Sequence, residues 1–312
     1  MPEPVAIATL LAASGLTPVK PESPNAERIS DVFWFITFFV IVIFFVVAVP
    51  LVVFILRYRN KGRPRHEEGP QIIGNTNLEI AWTAAPVIIL VLIAGFTLYK
   101  LPGMSLEASN ELEVQVVGRQ FYWQYRYPNG AVAINKLVAP ADRVVKLRIT
   151  APDYDVIHSY WVPALFGKMD AIPGRTNEVE FKGTRVGTYK GQCVEFCGLQ
   201  HAAMKNEIQV IPAEQFDTWV AEQASTQASG QSDLGEQEFE GVCATCHGDQ
   251  GQGFIGPAFS SATVSSPQSV EQIIREGRNK MPPVGRDWGD VQVQALTAYL
   301  RQRFGQGSQA GG

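Results

Sequence analysis

The stretch from Val32 to Leu56 carries no charged residue. A helix over that run, rising about 1.5 Å per residue, exceeds the roughly 30 Å hydrocarbon core of a bilayer. It shows no amphipathic period, so the pattern predicts a transmembrane helix rather than a buried core helix. Ile80 to Tyr99 is a second uncharged run of spanning length. Pro86 is tolerated within it because lipid penalises leaving the helix. Arg57, Arg59, Lys61, Arg63 and Arg65 crowd directly behind the first run. Positive charge marks the cytoplasmic side, which places both termini outside. A 46% hydrophobic content against 18% charged residues fits a membrane-bound chain, and 312 residues imply several domains. The basic cluster is not a nucleic-acid patch, since it abuts a span, lacks interleaved aromatics and sits in a chain of net charge −4. Pro4 to Leu16 is apolar but lacks the basic lead of a typical secretory signal; residues 1–28 read as a loose N-terminal arm, with a cleaved leader as the alternative, and 29–104 as the transmembrane hairpin.

After Tyr99 the pattern changes to alternation. Leu112, Val114 and Val116 alternate with Glu113 and Gln115; Val145, Leu147 and Ile149 alternate with Lys146 and Arg148; Ile208 and Val210 flank Gln209. Short alternating strands punctuated by Gly, Pro and Asn predict an all-β sandwich or barrel of about a hundred residues, here 105–212. Residues 213–232 are expected to link it to the next domain, and the small polar run 223–232 reads as flexible. A helical domain follows over 233–305, with a flexible tail at 306–312. Asp233 and Glu236 are spaced like a capping box, Ser266-Pro267 opens a helix that Gly277 closes, and a last helix from Asp290 puts Val293, Leu296 and Leu300 on one face.

The four cysteines are Cys193, Cys197, Cys243 and Cys246. On an extracytoplasmic face two disulfides are the default expectation. The neighbouring residues point elsewhere: His158, His201 and His247 accompany the cysteine pairs, while His66 lies in the basic loop and reads as solvated. Cys243 to His247 spells CATCH, the C-x-x-C-H rule for covalent c-type haem attachment, in which the histidine then ligates the iron. A zinc site would need two further ligands, and this domain has no other His or Cys. Met281, in KMPPVG, is the only methionine after the motif and the candidate sixth ligand; a His/Met pair makes a relatively high-potential carrier, and the small helical domain matches class I cytochromes c. The alternative for Met281 is an ordinary core methionine.

Cys197, His201 and Met204 are spaced like the ligand loop of a blue-copper protein, with His158 as the remote histidine. That set leaves Cys193 over. Two thiolates on one tight loop can bridge two coppers, each taking one histidine, with Met204 and a backbone carbonyl as weak further ligands.

On these motifs, together with LEIAWTAAPVIIL, GRQFYWQYRYPNG and HSYWVPALFGKMDAIPGR, the chain resembles subunit II of haem-copper cytochrome c oxidases with a fused C-terminal cytochrome c, as in caa(3)-type enzymes. The resemblance covers Ile29 to Phe304. It implies a two-helix transmembrane hairpin, an all-β cupredoxin-like Greek-key CuA domain and an all-α class I cytochrome c domain. It also implies a binuclear copper centre held by His158, Cys193, Cys197, His201, Met204 and the carbonyl of Glu195, with the Glu195 side chain at a magnesium site shared with subunit I. Covalent haem c is expected on Cys243 and Cys246, with His247 and Met281 axial. Glu79 matches the glutamate at a proton-channel entrance, although a glutamate merely flanking a span is the alternative. Asp170 and Arg175 match a segment beside the metals, although they also read as exposed loop charges. The aromatic segment, usually Trp-Tyr-Trp, is Phe121-Tyr122-Trp123 here, which puts electron input through the first ring in doubt; packing within the β-domain accounts for Tyr122 and Trp123.

The expected function is electron relay from haem c to copper and on to the haems of subunit I, for O2 reduction coupled to proton translocation at a bacterial cytoplasmic membrane. Subunits I and III and an upstream cytochrome c, cupredoxin or quinol-oxidising complex are the expected partners. The input subunit of a copper-containing nitric oxide reductase and a thioredoxin-like copper-delivery protein are the alternatives. A quinol oxidase subunit would lack the copper ligands.

Overall fold

The computed structural model describes residues 17–59, 71, 73–106, 108–230 and 233–305. Pro4 to Leu16, Lys61, Arg63, Arg65, His66 and the tail 306–312 lie outside the described residues.

Two helices, α1 (Pro24–Arg57) and α2 (Thr76–Lys100), contain the two uncharged runs and extend beyond them at their N-terminal ends. Proline is preorganised for the first turn of α1. At α2 the Asn75 side chain accepts the Leu78 N–H at 3.2 Å and the Glu79 carboxylate accepts the Asn75 N–H at 3.4 Å, so the polar lead is a reciprocal cap. Phe35 stacks on Phe96 at 4.3 Å and Lys100 bonds Asp31 at 2.6 Å, tying the hairpin. Both helices are long and apolar enough to cross a membrane, and large apolar side chains such as Phe44 and Leu90 face outward.

The described residues before Glu27 and after Met104 form a second compact unit. Ten strands build its β-sandwich: β1 (Leu112–Arg119), β2 (Tyr122–Arg126), β3 (Val132–Ile134), β4 (Lys136–Pro140), β5 (Val144–Thr150), β6 (His158–Trp161), β7 (Met169–Ala171), β8 (Asn177–Lys182), β9 (Gly187–Cys193) and β10 (Lys205–Ile211). One sheet has the order β3-β2-β1-β5-β8, the other β4-β10-β9-β6-β7. The β1/β5 and β4/β10 pairs are parallel and the rest antiparallel. Val114, Val116, Leu147, Ile149, Ile208 and Val210 are buried, as the alternation predicts, around Trp123, Tyr125, Tyr160, Phe166 and Phe181. No thioredoxin-like mixed α/β layering is present among the described residues.

The expected linker differs. Ala213–Ala228 is a helix, α3. Phe216, Trp219, Val220 and Ala224 recur at helical spacing and pack on the sandwich core, with Trp219 edge-on to Tyr127 at 5.4 Å. Buried Gln227 accepts the Val132 N–H at 2.9 Å and donates to the Val132 carbonyl at 2.8 Å, acting as a strand substitute at the sheet edge. The composition of 223–232 hid this, because Gln227 docks the end of the helix by hydrogen bonds to a strand edge and not by apolar contact.

The C-terminal region runs α4 (Leu234–Glu238), a π-helical turn (Phe239–Cys243), α5 (Ala244–His247), α6 (Ser261–Val264), α7 (Pro267–Glu276) and α8 (Asp290–Phe304). The Asp233–Glu236 capping box does not form; Asp233 instead accepts from the Gln237 side chain at 2.8 Å. Ser266 caps α7 and Gly277, at φ +76°, ends it, as expected. Val293, Leu296 and Leu300 are buried with Leu234, Phe239, Ile274 and Trp288. Tyr122 and Ile134 of the sandwich belong to this second core, which corrects the assignment of Tyr122 to β-domain packing.

Candidate metal centre

β9 ends on Cys193 and β10 begins after Met204, so the antiparallel pair holds both ends of the cysteine loop. Cys193 and Met204 are locked by a backbone bond of 2.9 Å. β6 sits beside β9, pairing Tyr160 with Cys193, and thereby brings His158 to the loop from far away in sequence. The potential ligand atoms of His158, Cys193 and Cys197 all lie within 4.8 Å of one another. Around Cys197 Sγ stand Cys193 Sγ at 4.0 Å, His201 Nδ1 at 3.6 Å and Met204 Sδ at 3.8 Å, and Cys193 Sγ is 3.3 Å from the Glu195 carbonyl. All six groups expected at copper therefore converge. The thiols are free, which sets the disulfide expectation aside in this structure.

The donor chemistry fits metal binding. His158 is fully buried, its Nε2 faces Asp155 at 3.2 Å, and its Nδ1 has no partner. A buried orphan nitrogen is costly, and a metal on the open side relieves that cost while the carboxylate fixes the tautomer. Hydrogen bonding from Cys197 holds the Cys193 thiol well below its ordinary range, against burial; the same sharing pushes Cys197 upward.

Three supporting residues have no place in the sequence reading. Gln120 donates to the Cys197 carbonyl at 2.6 Å. Asp155, three residues before His158, also accepts the Gln120 N–H. A Cβ on Gly118 would lie 3.0 Å from the Trp123 ring and 3.1 Å from that of His158, so a larger residue there presses both rings out of place by a few tenths of an ångström. Gly118 and Gln120 lie within the aromatic motif, where attention to the rings hid them. Trp123 packs edge-on to His158 at 6.0 Å, and Phe121 closes on Gly198.

In the helical region Cys243, Cys246 and His247 share one turn. His247 Nδ1 is 2.6 Å from the Pro257 carbonyl, which fixes the tautomer that leaves Nε2 free. A Cβ on Gly256 would stand 2.8 Å from the His247 ring, so the chain there approaches the imidazole as glycine alone allows. Two free thiols and an oriented imidazole fit c-type haem attachment. Met281 is half-buried in the turn where its backbone pairs with Arg278.

The remaining candidates are spread out. Glu195 and Arg175 are exposed; Asp170 accepts from Ser159 at 2.7 Å and Lys168 at 2.8 Å across the β6–β7 hairpin, which lowers its pKa. Glu79 caps α2.

A cupredoxin-like sandwich with a converging thiolate–imidazole–thioether cluster, joined to a helical domain with a haem-attachment turn and preceded by two spanning helices, defines a membrane-anchored redox protein. The chain is 32% identical over 331 residues to "Cytochrome c oxidase subunit 2" of Alkalihalophilus pseudofirmus, covering 93% of this chain and 92% of that protein. It belongs to the cytochrome c oxidase subunit II family, with a cytochrome c domain at its C-terminal end. Family models agree: the subunit II transmembrane domain matches residues 14–99, the subunit II periplasmic domain 131–211, and "Cytochrome C oxidase, cbb3-type, subunit III" 230–300. "Probable cytochrome c oxidase subunit 2" of Rickettsia bellii is 34% identical over 68% of this chain and 85% of its own length. Among solved structures, the periplasmic domain of subunit II of cytochrome oxidase (CoxB) of Bradyrhizobium japonicum is 34% identical, covering 39% of this chain and 99% of that one, at a TM-score of 0.37. The family is an oxidoreductase component of the haem-copper oxidase complex, and copper and haem binding follow from it. The two helices and the periplasmic domain fit a membrane protein with an extracytoplasmic domain.

Proposed function

We propose that this chain is the electron-input subunit of a proton-translocating cytochrome c oxidase, taking electrons in at its C-terminal domain and passing them through its β-sandwich to the haems of subunit I in a bacterial cytoplasmic membrane. The observation that carries this reading is the convergence of two thiols, two imidazoles, a thioether and a carbonyl in the unit that also bears a haem-attachment turn. When bound, the copper pair and the haem supply one-electron redox chemistry.

His158, Cys193, Cys197, His201, Met204 and the Glu195 carbonyl hold the copper pair. Cys243 and Cys246 attach the haem, and His247 with Met281 ligates its iron. Asp155 and Gln120 orient the ligands, and the burial of His158, Cys193, Cys197 and Met204 excludes water, which keeps reorganisation small. The exposed Glu195 carboxylate is the group for a magnesium ion shared with subunit I. Glu79 serves a proton-channel entrance, and Phe121, Tyr122 and Trp123 line the electron path. Subunit III and an upstream cytochrome c, cupredoxin or quinol-oxidising complex complete the set of partners.

Metal and haem analysis of the purified complex, with electron paramagnetic resonance, tests the reading. One unpaired electron shared by two coppers is expected; a single-copper spectrum or copper-free protein overturns it.

A further inference from the structure

Arg119 and Gln120 are neighbours at the end of β1, and they grip opposite partners. Gln120 holds the Cys197 carbonyl of the copper loop at 2.6 Å. Arg119 reaches the other way, donating through Nη2 to Asp287 Oδ2 at 2.8 Å and through Nη1 to Oδ1 at 2.5 Å. Asp287 lies in the loop that follows Met281. The Arg119 side chain is only 3% exposed, and its Nε and Nη1 also donate to Gln124 at 3.1 Å and the Tyr154 hydroxyl at 2.9 Å. Gln124 continues the chain to Gln292 at 3.1 Å, and Gln292 to Glu238 at 3.1 Å. A cavity of about 120 Å³ separates Gln120 and Asp155 from Pro282 and Pro283.

We propose that Arg119 is a positioning residue that, through Asp287, locks the haem-attachment domain to the sandwich and holds the Met281 loop and the copper loop at one fixed separation. This rests on the relay reading above. A docked arrangement that failed to present Asp287 would leave the buried guanidinium an uncompensated charge, so only the register that supplies the carboxylate is tolerated. The bidentate fork also fixes orientation, which a lysine or a single bond does not. Because α3 packs on the sandwich, the chain up to Ala228 adds no freedom between the domains. A domain that merely sampled the sandwich from a loose tether would meet it through a wet, salt-screened rim; the charge observed at the contact is buried instead.

The test uses the assembled oxidase with Arg119→Met, Arg119→Lys and Asp287→Asn. Hydrogen exchange over Tyr122–Arg126 and Val284–Trp288 reads the opening equilibrium. Arg119→Met leaves only a half-exposed carboxylate that water can reach and is expected to lose about tenfold in protection, and Arg119→Lys less. Asp287→Asn leaves the buried guanidinium without its countercharge in the docked state and is expected to lose about a hundredfold. Pulsed electron resonance between oxidised haem iron and copper should give one narrow distance in the parent and a broadened one in Arg119→Met. Transfer from haem to copper should be independent of ionic strength in the parent and become salt-dependent in Asp287→Asn, a response that simple loss of fold does not produce. If Arg119→Met does not assemble, Asp287→Asn, which leaves the sandwich intact, decides by the same measurements. Unchanged protection, distance and salt response overturn the lock. A parent in which reduced haem delivers no electron to copper overturns the relay instead, while hydrogen exchange still judges the lock.

Discussion

Replacing Tyr122 with Phe isolates one hydroxyl at the junction of the two cores. The ring is fully buried and lies edge-on to Trp288 at 6.3 Å, a contact that Phe retains. The hydroxyl donates to the Val284 carbonyl at 2.6 Å and accepts from Trp288 Nε1 at 2.8 Å, and burial, only partly opposed by Arg119, raises its pKa so that it stays protonated. Trp288 is 2% exposed, so its N–H is stranded once the oxygen is gone, at about 1–3 kcal/mol. The half-buried Val284 carbonyl can recruit water, leaving about 1 kcal/mol for the lost bond. The sum, about 2–4 kcal/mol, is roughly thirtyfold to a thousandfold in the folded ratio of the C-terminal domain. Urea unfolding of the full chain, followed at the haem absorption band, should show a lower midpoint at unchanged slope. A shift worth less than about 0.5 kcal/mol would refute the reasoning, because it would mean the hydroxyl is already bonded to water and the two cores are not joined in solution.

Cys193→Ser should abolish the shared-valence copper signal while leaving the haem spectrum intact; persistence of that signal removes Cys193 from the ligand set. Asp155→Ala strips the His158 Nε2 partner and should weaken copper affinity by about 10–100-fold, read by chelator competition; equal affinity would show that the tautomer is fixed otherwise. Met281→Ala should keep covalent haem but lower its potential and admit carbon monoxide, and an unchanged potential without carbon monoxide binding points to another sixth ligand. Glu238, buried with one unpartnered oxygen, has its pKa raised well above the ordinary 4.5 by burial, with Gln292 only partly opposing. An acid raised in the folded state favours folding least at high pH, since the unfolded chain ionises first. Glu238→Gln should therefore stabilise the domain increasingly as pH rises above about 4.5 and not below it, and a pH-independent difference would contradict that.

Short-range features were legible without a structure. The two uncharged runs, the alternating triplets such as Val145-Leu147-Ile149, the CATCH turn and the Cys193–Met204 loop each encode their meaning within about twenty residues, where periodicity and ligand chemistry act directly. The amphipathic face of α3 was in the sequence too, but it ended on Gln227, whose docking role exists only because Val132 offers a free strand edge to hydrogen-bond. The Asp233 cap failed for a similar reason: Gln237 was the better local partner.

What the chain determined alone was its list of elements and donor atoms, since helix length, strand alternation and thiol spacing are properties of neighbouring residues. Tertiary structure decided which of those donors share a site and which domains share a core. His158 meets Cys193 because β6 pairs with β9. Tyr122 faces the haem-attachment domain although its neighbour Trp123 faces the sandwich interior, because successive strand residues point to opposite faces and only the docked partner tells what lies on each. Arg119 and Asp287 stand 168 residues apart. No local pattern links them, because the sheltered contact in which they pair exists only once both domains have folded and closed on each other.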